Sequence, residues 1–248
     1  MAASLKANKC YICSDVDGVY TTDPNTISNA KKNKHLSYTE MLDIAEEGAK
    51  VLHNRCIEIA EKFDLPIVTK STFNNEQGSV IDNKIEENSI KSIVKNDDIL
   101  LITLKSNICQ AKNTEVFNSG FEIQNLGFIY NSLFTNKIFP IQINSRGDIE
   151  SGNTEIEFFI KTVDVKRIQK LLDTKFEMCQ SSIKPVSRIS IIGYGINADE
   201  SVINKIISTI NEFECEIASI NVTNTKMSIT FKEKVDNQLL ECIHNKLF

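Results

Sequence analysis

Ser14-Asp15-Val16-Asp17-Gly18-Val19-Tyr20-Thr21-Thr22-Asp23-Pro24 follows the apolar run Cys10-Tyr11-Ile12-Cys13. The run predicts a buried strand that ends near Ser14. Asp17-Gly18, set between this strand and residues 19–22, is by itself a hairpin turn signal. Asp23-Pro24-Asn25 marks a second turn. Ser14 and Asp15 therefore fall at the carboxyl end of a strand, where open α/β sheets receive ligands. Their short polar side chains suit hydrogen bonds to a base or ribose edge, and Tyr20 offers a ring for stacking. The bland alternatives are a tight turn at Asp17-Gly18 and a half-buried strand residue at Tyr20.

Outward from this stretch the signals stay dense. Residues 2–7 read as the end of a helix. Ser37, with Glu40 three residues later, predicts a helix start closed by a capping box. Met41, Leu42, Ile44 and Ala45 continue it at helical spacing, and Gly48 interrupts. A second helical face carries Val51, Leu52, Cys56, Ile59, Ala60 and Phe63. Residues 65–68 and 77–81 read as short strands. Residues 83–97 are polar and charged and read as a linker.

After the linker the chain repeats a pattern. The first half predicts a strand over 99–104, a helix over 125–136, strands over 138–144 and 155–160, a helix over 163–172 and a fourth strand over 176–181. Residues 105–120 look like a polar insertion. The second half predicts a strand over 189–192, a helix over 200–213, strands over 216–222 and 226–231 and a helix over 235–247, with a final short strand open. Both follow the ferredoxin-like βαββαβ order. The fold class is α/β (α+β), in four pieces: 1–82, the linker 83–97, and repeats at 98–184 and 185–248.

Composition narrows the functional classes. The 248 residues carry a net charge of −5, so a sustained basic face for nucleic acid is not expected. Lys31-Lys32-Asn33-Lys34 reads as a solvated loop. No apolar stretch reaches the ~18 residues that span a bilayer, so neither membrane nor secretory targeting is expected. Seven cysteines, an odd number, read as free thiols in a reducing cytoplasm. Cys10 and Cys13 have no second Cys or His pair, so no metal site is expected. His35, His53 and His244 form no recognisable triad.

Residues 14–24, together with Ser37-Tyr38-Thr39-Glu40-Met41, Ala45 and Gly48-Ala49-Lys50-Val51-Leu52 at fitting spacing, resemble the nucleotide-binding part of the aspartokinases. The tandem repeats resemble that family's two ACT regulatory modules, with Gly193-Tyr194-Gly195-Ile196 and residues 221–229 carrying the match in the second. The resemblance implies the C-terminal portion of an aspartate kinase, an allosterically regulated transferase of amino-acid and lysine biosynthesis. That enzyme phosphorylates the aspartate side-chain carboxylate with ATP and Mg2+. It implies nucleotide contacts at Ser14, Asp15, Tyr20, Asn25 and Lys50. Asn25 departs from the pattern, because the family carries Arg or Lys there. It further implies an effector site for lysine or threonine at Gly195, Ile196, Asn197, Ala198, Asn221 and Thr223, with Gln142 and Asn144 in the first module. There the family's Asp-x-Pro-Gly loop is missing. The bland reading of these polar residues is helix caps and turn closure. A homodimer through the ACT modules and association with a full-length kinase subunit are also implied. The family's Lys-Phe-Gly-Gly segment and its aspartate-binding segments have no counterpart here, so the isolated chain is expected to be inactive. The alternative is a non-catalytic, amino-acid-sensing regulatory subunit.

Overall fold

The computed structural model describes residues 1–49, 51–86, 89–107, 121–148, 153–177 and 179–248. They divide into two compact units. One comprises Met1–Asn96, Arg188–Phe231 and Val235–Phe248, the other Asp97–Ser187 and Lys232–Lys234.

In the first unit, β1 (Cys10–Ser14) runs parallel to β5 (Ile67–Ser71). β5 is antiparallel to β6 (Ser79–Asp82), which runs parallel to β4 (His35–Ser37). The sheet order is β1-β5-β6-β4. β2 (Val19–Tyr20) pairs instead with β3 (Lys32–Asn33). Asp17-Gly18 thus connects two different sheets and is not the turn of a hairpin. Residues 2–7 form turns rather than a helix end.

The capping box is present. The Ser37 hydroxyl accepts from the Glu40 N–H at 3.2 Å, and the Glu40 carboxylate accepts from the Ser37 N–H at 2.9 Å. It starts α1 (Tyr38–Glu46), which buries Tyr38, Met41 and Ile44 beside Leu36, Ile81 and Ile57 of α2 (Asn54–Lys62).

The expected linker is the main correction. Residues 89–96 open the strand β7 (Ser89–Asn107). Their polar groups are bonded, not solvated. Ser92 donates to the carbonyls of Tyr20 and Thr21, and the Lys91 ammonium, 6% exposed, pairs with Glu86. The two strands expected over 176–181 and 189–192 are likewise one, β10 (Gln180–Tyr194).

The remaining elements of this unit are α5 (Glu200–Glu212), β11 (Ile217–Val222), β12 (Lys226–Phe231) and α6 (Asn237–Leu247). Strand order is β11-β12-β10-β7. With β10 counted as the first strand, this is the ferredoxin-like order 2-3-1-4. The fourth strand is thus residues 89–96, from far upstream of β10. Ile189, Ile191, Met227, Ile229 and Phe231 pack against α5 and α6.

The second unit holds the rest of β7, α3 (Phe121–Thr135), β8 (Gln142–Asp148), β9 (Asn153–Lys161), α4 (Val165–Lys175) and the start of β10. β9 lies antiparallel between β7 and β8. Phe158, Leu133, Ile168 and Leu172 centre its core. Most of the expected insertion, residues 108–120, lies outside the described residues. Gly127 is exposed within α3, and a Cβ there would meet nothing within 4 Å. Gly127→Ala should therefore stabilise the chain by about 1 kcal/mol through helix propensity. Urea unfolding checks this, and a lowered midpoint would refute it.

Candidate functional site

Ser14 closes β1 opposite Ser71 of β5, and its hydroxyl accepts from the Val16 N–H at 3.1 Å. The chain therefore bends sharply after the strand, leaving Asp15 exposed and Asp17 half-buried. A Cβ on Gly18 would lie 2.8 Å from both Lys32 Cδ and Ser79 Oγ. Close backbone approach is what glycine permits at this point. Val19 N–H then donates to Ser79 Oγ at 2.8 Å, and that hydroxyl donates to the Asn33 carbonyl at 2.5 Å.

A charged relay holds Tyr20. Its hydroxyl donates to the Asp17 carboxylate at 3.0 and 3.1 Å. Lys32 contacts the same carboxylate at 2.9 Å and Glu76 at 2.8 Å. The hydrogen bond from Lys32 holds the Asp17 carboxyl below its ordinary range. Burial, then the bond to Asp17, pushes the Tyr20 phenol up. The bonds to Glu76 and Asp17 push the Lys32 ammonium up. Tyr20 is therefore neutral and fixed in direction, with its ring half-buried beside the turn.

Lys32 is the residue missed when its run is read as a solvated loop. Lys31 and Lys34 are exposed, as that reading expects. The strand alternation of Lys32 opposite Tyr20 is the signal that marks it. Asn25 is exposed and bonds Asp23 on its own turn. Lys50 lies outside the described residues. Ser14 and Asp15 thus lie at the carboxyl end of β1, Tyr20 lies in the separate β2–β3 pair and is tied to the connecting turn through Asp17, and Asn25 is on the loop beyond it.

The second candidate site is in the same unit. Gly195 follows β10 at φ 82°, a left-handed conformation that favours glycine. Its N–H donates to the Asn224 carbonyl at 2.7 Å, so the loop abuts the β11–β12 turn. Ile196 is 4% exposed and belongs to the core, whereas Asn197 and Ala198 are exposed. Thr223 closes the turn: its hydroxyl accepts from the Lys226 N–H and donates to the Lys226 carbonyl. Asn221 is exposed on β11. In the other unit, Gln142 donates its amide to Asn144 at 3.0 Å along β8.

Sequence reasoning also missed a polar network between α1 and β12. The Lys226 ammonium lies 2.9 Å from Asp43 and 3.1 Å from Glu47. Thr225 donates to Asp43 at 2.6 Å. Burial acts to lower the Lys226 ammonium, but Glu47 and Asp43 more than reverse it, so it is raised overall.

Comparison with known proteins agrees with this architecture. The amino acid kinase family model matches residues 1–71. The aspartokinase of Geobacillus stearothermophilus is 27% identical over 98% of this chain. The chain matches the aspartokinases along its whole length. It spans 58% of that relative's own length. The structure of E. coli aspartokinase III in complex with aspartate and ADP superposes with a TM-score of 0.81 at 21% identity. It covers all of this chain and 54% of that one. The regulatory subunit of aspartate kinase from Thermus thermophilus superposes with a TM-score of 0.52 at 15% identity, over 64% of this chain and 98% of that one. The alternative of a regulatory subunit alone is not favoured, because residues 1–71 match a kinase family. Among the described residues no helix is long and apolar enough to cross a membrane.

Proposed function

We propose that this chain is the nucleotide-loop and regulatory portion of an aspartate kinase, which transfers the γ-phosphoryl group of ATP to the aspartate side-chain carboxylate. The observation that carries this reading is the run of aspartokinase similarity through both the kinase-like piece and the paired modules. In this reading residues 1–82 complete an amino-acid-kinase domain, and the two ferredoxin-like modules sense an amino acid, lysine or threonine.

Ser14 and Asp15 would bond the base or ribose edge, and the Tyr20 ring, held by Asp17, would stack on the base. Phosphoryl transfer depends on positioning and electrostatics. Among the described residues no cluster of His, Cys, Asp or Glu is built to hold a metal. Mg2+ would arrive on the phosphates, as is usual for a hard cation that keeps its waters. The effector would meet the backbone at Gly195 beside Asn221. Thr223, engaged in turn closure, contributes shape rather than a free hydroxyl. Self-association is supported by the exposed aromatic side chains of the first module, Phe128, Phe134 and Phe139, each more than half exposed.

Calorimetric titration tests the reading. ADP is expected to bind the chain, and Tyr20→Ala to weaken it at least tenfold through lost stacking. Lysine or threonine is expected to bind with a dissociation constant below about 10 mM, and Gly195→Val to block it. No response to ADP refutes the nucleotide reading, and none to either amino acid refutes the sensing reading. A monomer by light scattering at micromolar concentration refutes the dimer.

A further inference from the structure

The loop after Tyr20 is held by the last helix of the chain. Thr21 is 4% exposed and His244 of α6 is 1% exposed. The Thr21 hydroxyl lies 2.8 Å from His244 Nε2 and accepts from the Lys31 N–H at 2.9 Å. The hydroxyl can either donate to Nε2 or accept from it, so the bond ties Thr21 to the ring in either neutral tautomer. The same loop makes three more polar contacts. The Asn29 amide donates to Asn245 at 2.5 Å, Lys31 Nζ to the Phe248 carbonyl at 2.6 Å, and the Ile93 N–H to the Thr21 carbonyl at 2.6 Å. Ile27, from the middle of the loop, is buried in the same core as Leu239, Leu240 and Ile243.

We propose that His244 is a positioning residue for the nucleotide loop: through Thr21 it fixes residues 20–31, and with them Tyr20 and Asp23, in the shape that receives the nucleotide. This rests on the reading of residues 14–24 as a nucleotide loop. The buried Nδ1 makes no hydrogen bond. Such an orphan costs free energy that leucine, which suits the buried face of α6, would avoid. What leucine lacks is a hydrogen-bonding partner for the Thr21 hydroxyl. Thr21 is also the residue directly after Tyr20, so a bond at its side chain acts one peptide from the ring. The ring of Phe248, 4.8 Å away, covers the imidazole and keeps water from replacing the bond.

The test compares the parent chain with His244→Ala, His244→Leu and His244→Gln. Glutamine sets an amide near the place of Nε2, whereas leucine restores only volume. Hydrogen exchange is read for residues 20–31 and for β12, and ADP affinity is read by calorimetry. Alanine and leucine are expected to speed loop exchange about tenfold, the equivalent of one lost hydrogen bond. They should weaken ADP binding and leave β12 unchanged, and glutamine should restore both readouts. Restoration by leucine as complete as by glutamine would show packing alone and overturn the proposal. Unchanged loop exchange in the alanine variant would overturn it too. Thr21→Val removes the same bond from the loop side, and must reproduce the loosening even if a His244 variant fails to fold. Loosening with rescue by glutamine, in a chain that binds no ADP, supports the positioning contact and overturns only the nucleotide reading.

Discussion

Gly193→Val is expected to cost about 3 kcal/mol or more, enough to unfold much of a chain of ordinary stability. Gly193 lies buried in β10, and a Cβ there would fall 2.4 Å from the Ser89 carbonyl oxygen and 2.7 Å from Ile90 Cα. Both are backbone atoms, which cannot swing aside as a side chain can. The clash therefore forces β7 away from β10 and exposes Ile93, which is fully buried. Overpacking a core typically costs about 1–3 kcal/mol, and the loss of strand pairing adds to it. Urea midpoints for the parent, Gly193→Val and the unobstructed Gly127→Ala measure the effect. An unfolding free energy for the valine variant within about 0.5 kcal/mol of the parent, taken from midpoint and slope, would show that residues 89–96 are not the fourth strand of the second module.

The second large loss is expected at Lys226. Lys226→Met leaves Asp43 and Glu47 facing each other across a half-buried gap without their cation. Removing one partner of a fully buried pair costs about 3–5 kcal/mol. The Lys226 side chain is 17% exposed, so about 2–3 kcal/mol is the scale here. The Lys226 ammonium is raised in the folded chain. Its contribution is therefore complete at neutral pH, below its unfolded value, and is lost only as pH rises through the folded one. The triple variant with Asp43→Asn and Glu47→Gln should recover most of the stability, since a neutral network no longer needs the cation. A triple variant as unstable as Lys226→Met alone would assign the loss to packing of the lysine stem.

Much of the fold is legible where local chemistry decides the outcome. The capping box at Ser37 and Glu40 needs only two side chains three residues apart. The period of Val202, Ile206 and Ile210 suffices for α5, because one face meets the core whatever lies beyond it. The linker reading fails for the opposite reason. Lys91 and Ser92 look solvated by composition, and only their partners Glu86, Tyr20 and Thr21 show them paired and buried.

The candidate site divides in the same way. Ser14 and Asp15 are adjacent in sequence, and the strand ahead of them fixes where they fall. Lys32, Glu76 and Ser79 join them only through β3 and β6, and His244 arrives from the last helix. Contacts across such separations leave no local periodicity to read.

The displaced fourth strand also imposes an order in time. Residues 89–96 leave the ribosome before the roughly 90 residues of Asp97–Ser187. At about 5–20 residues per second, their neighbour in β10 follows about 5–20 s later. Until then the segment lacks its neighbour in β10, whereas by the end of that interval β8 and β9 of the intervening unit have been made. The nascent chain is thus biased to finish its inner module first and to seal the outer one last, around a loop closed over a whole domain. A polypeptide cut to residues 185–248 would never receive the missing strand, and would show its bare β10 edge to other copies of itself.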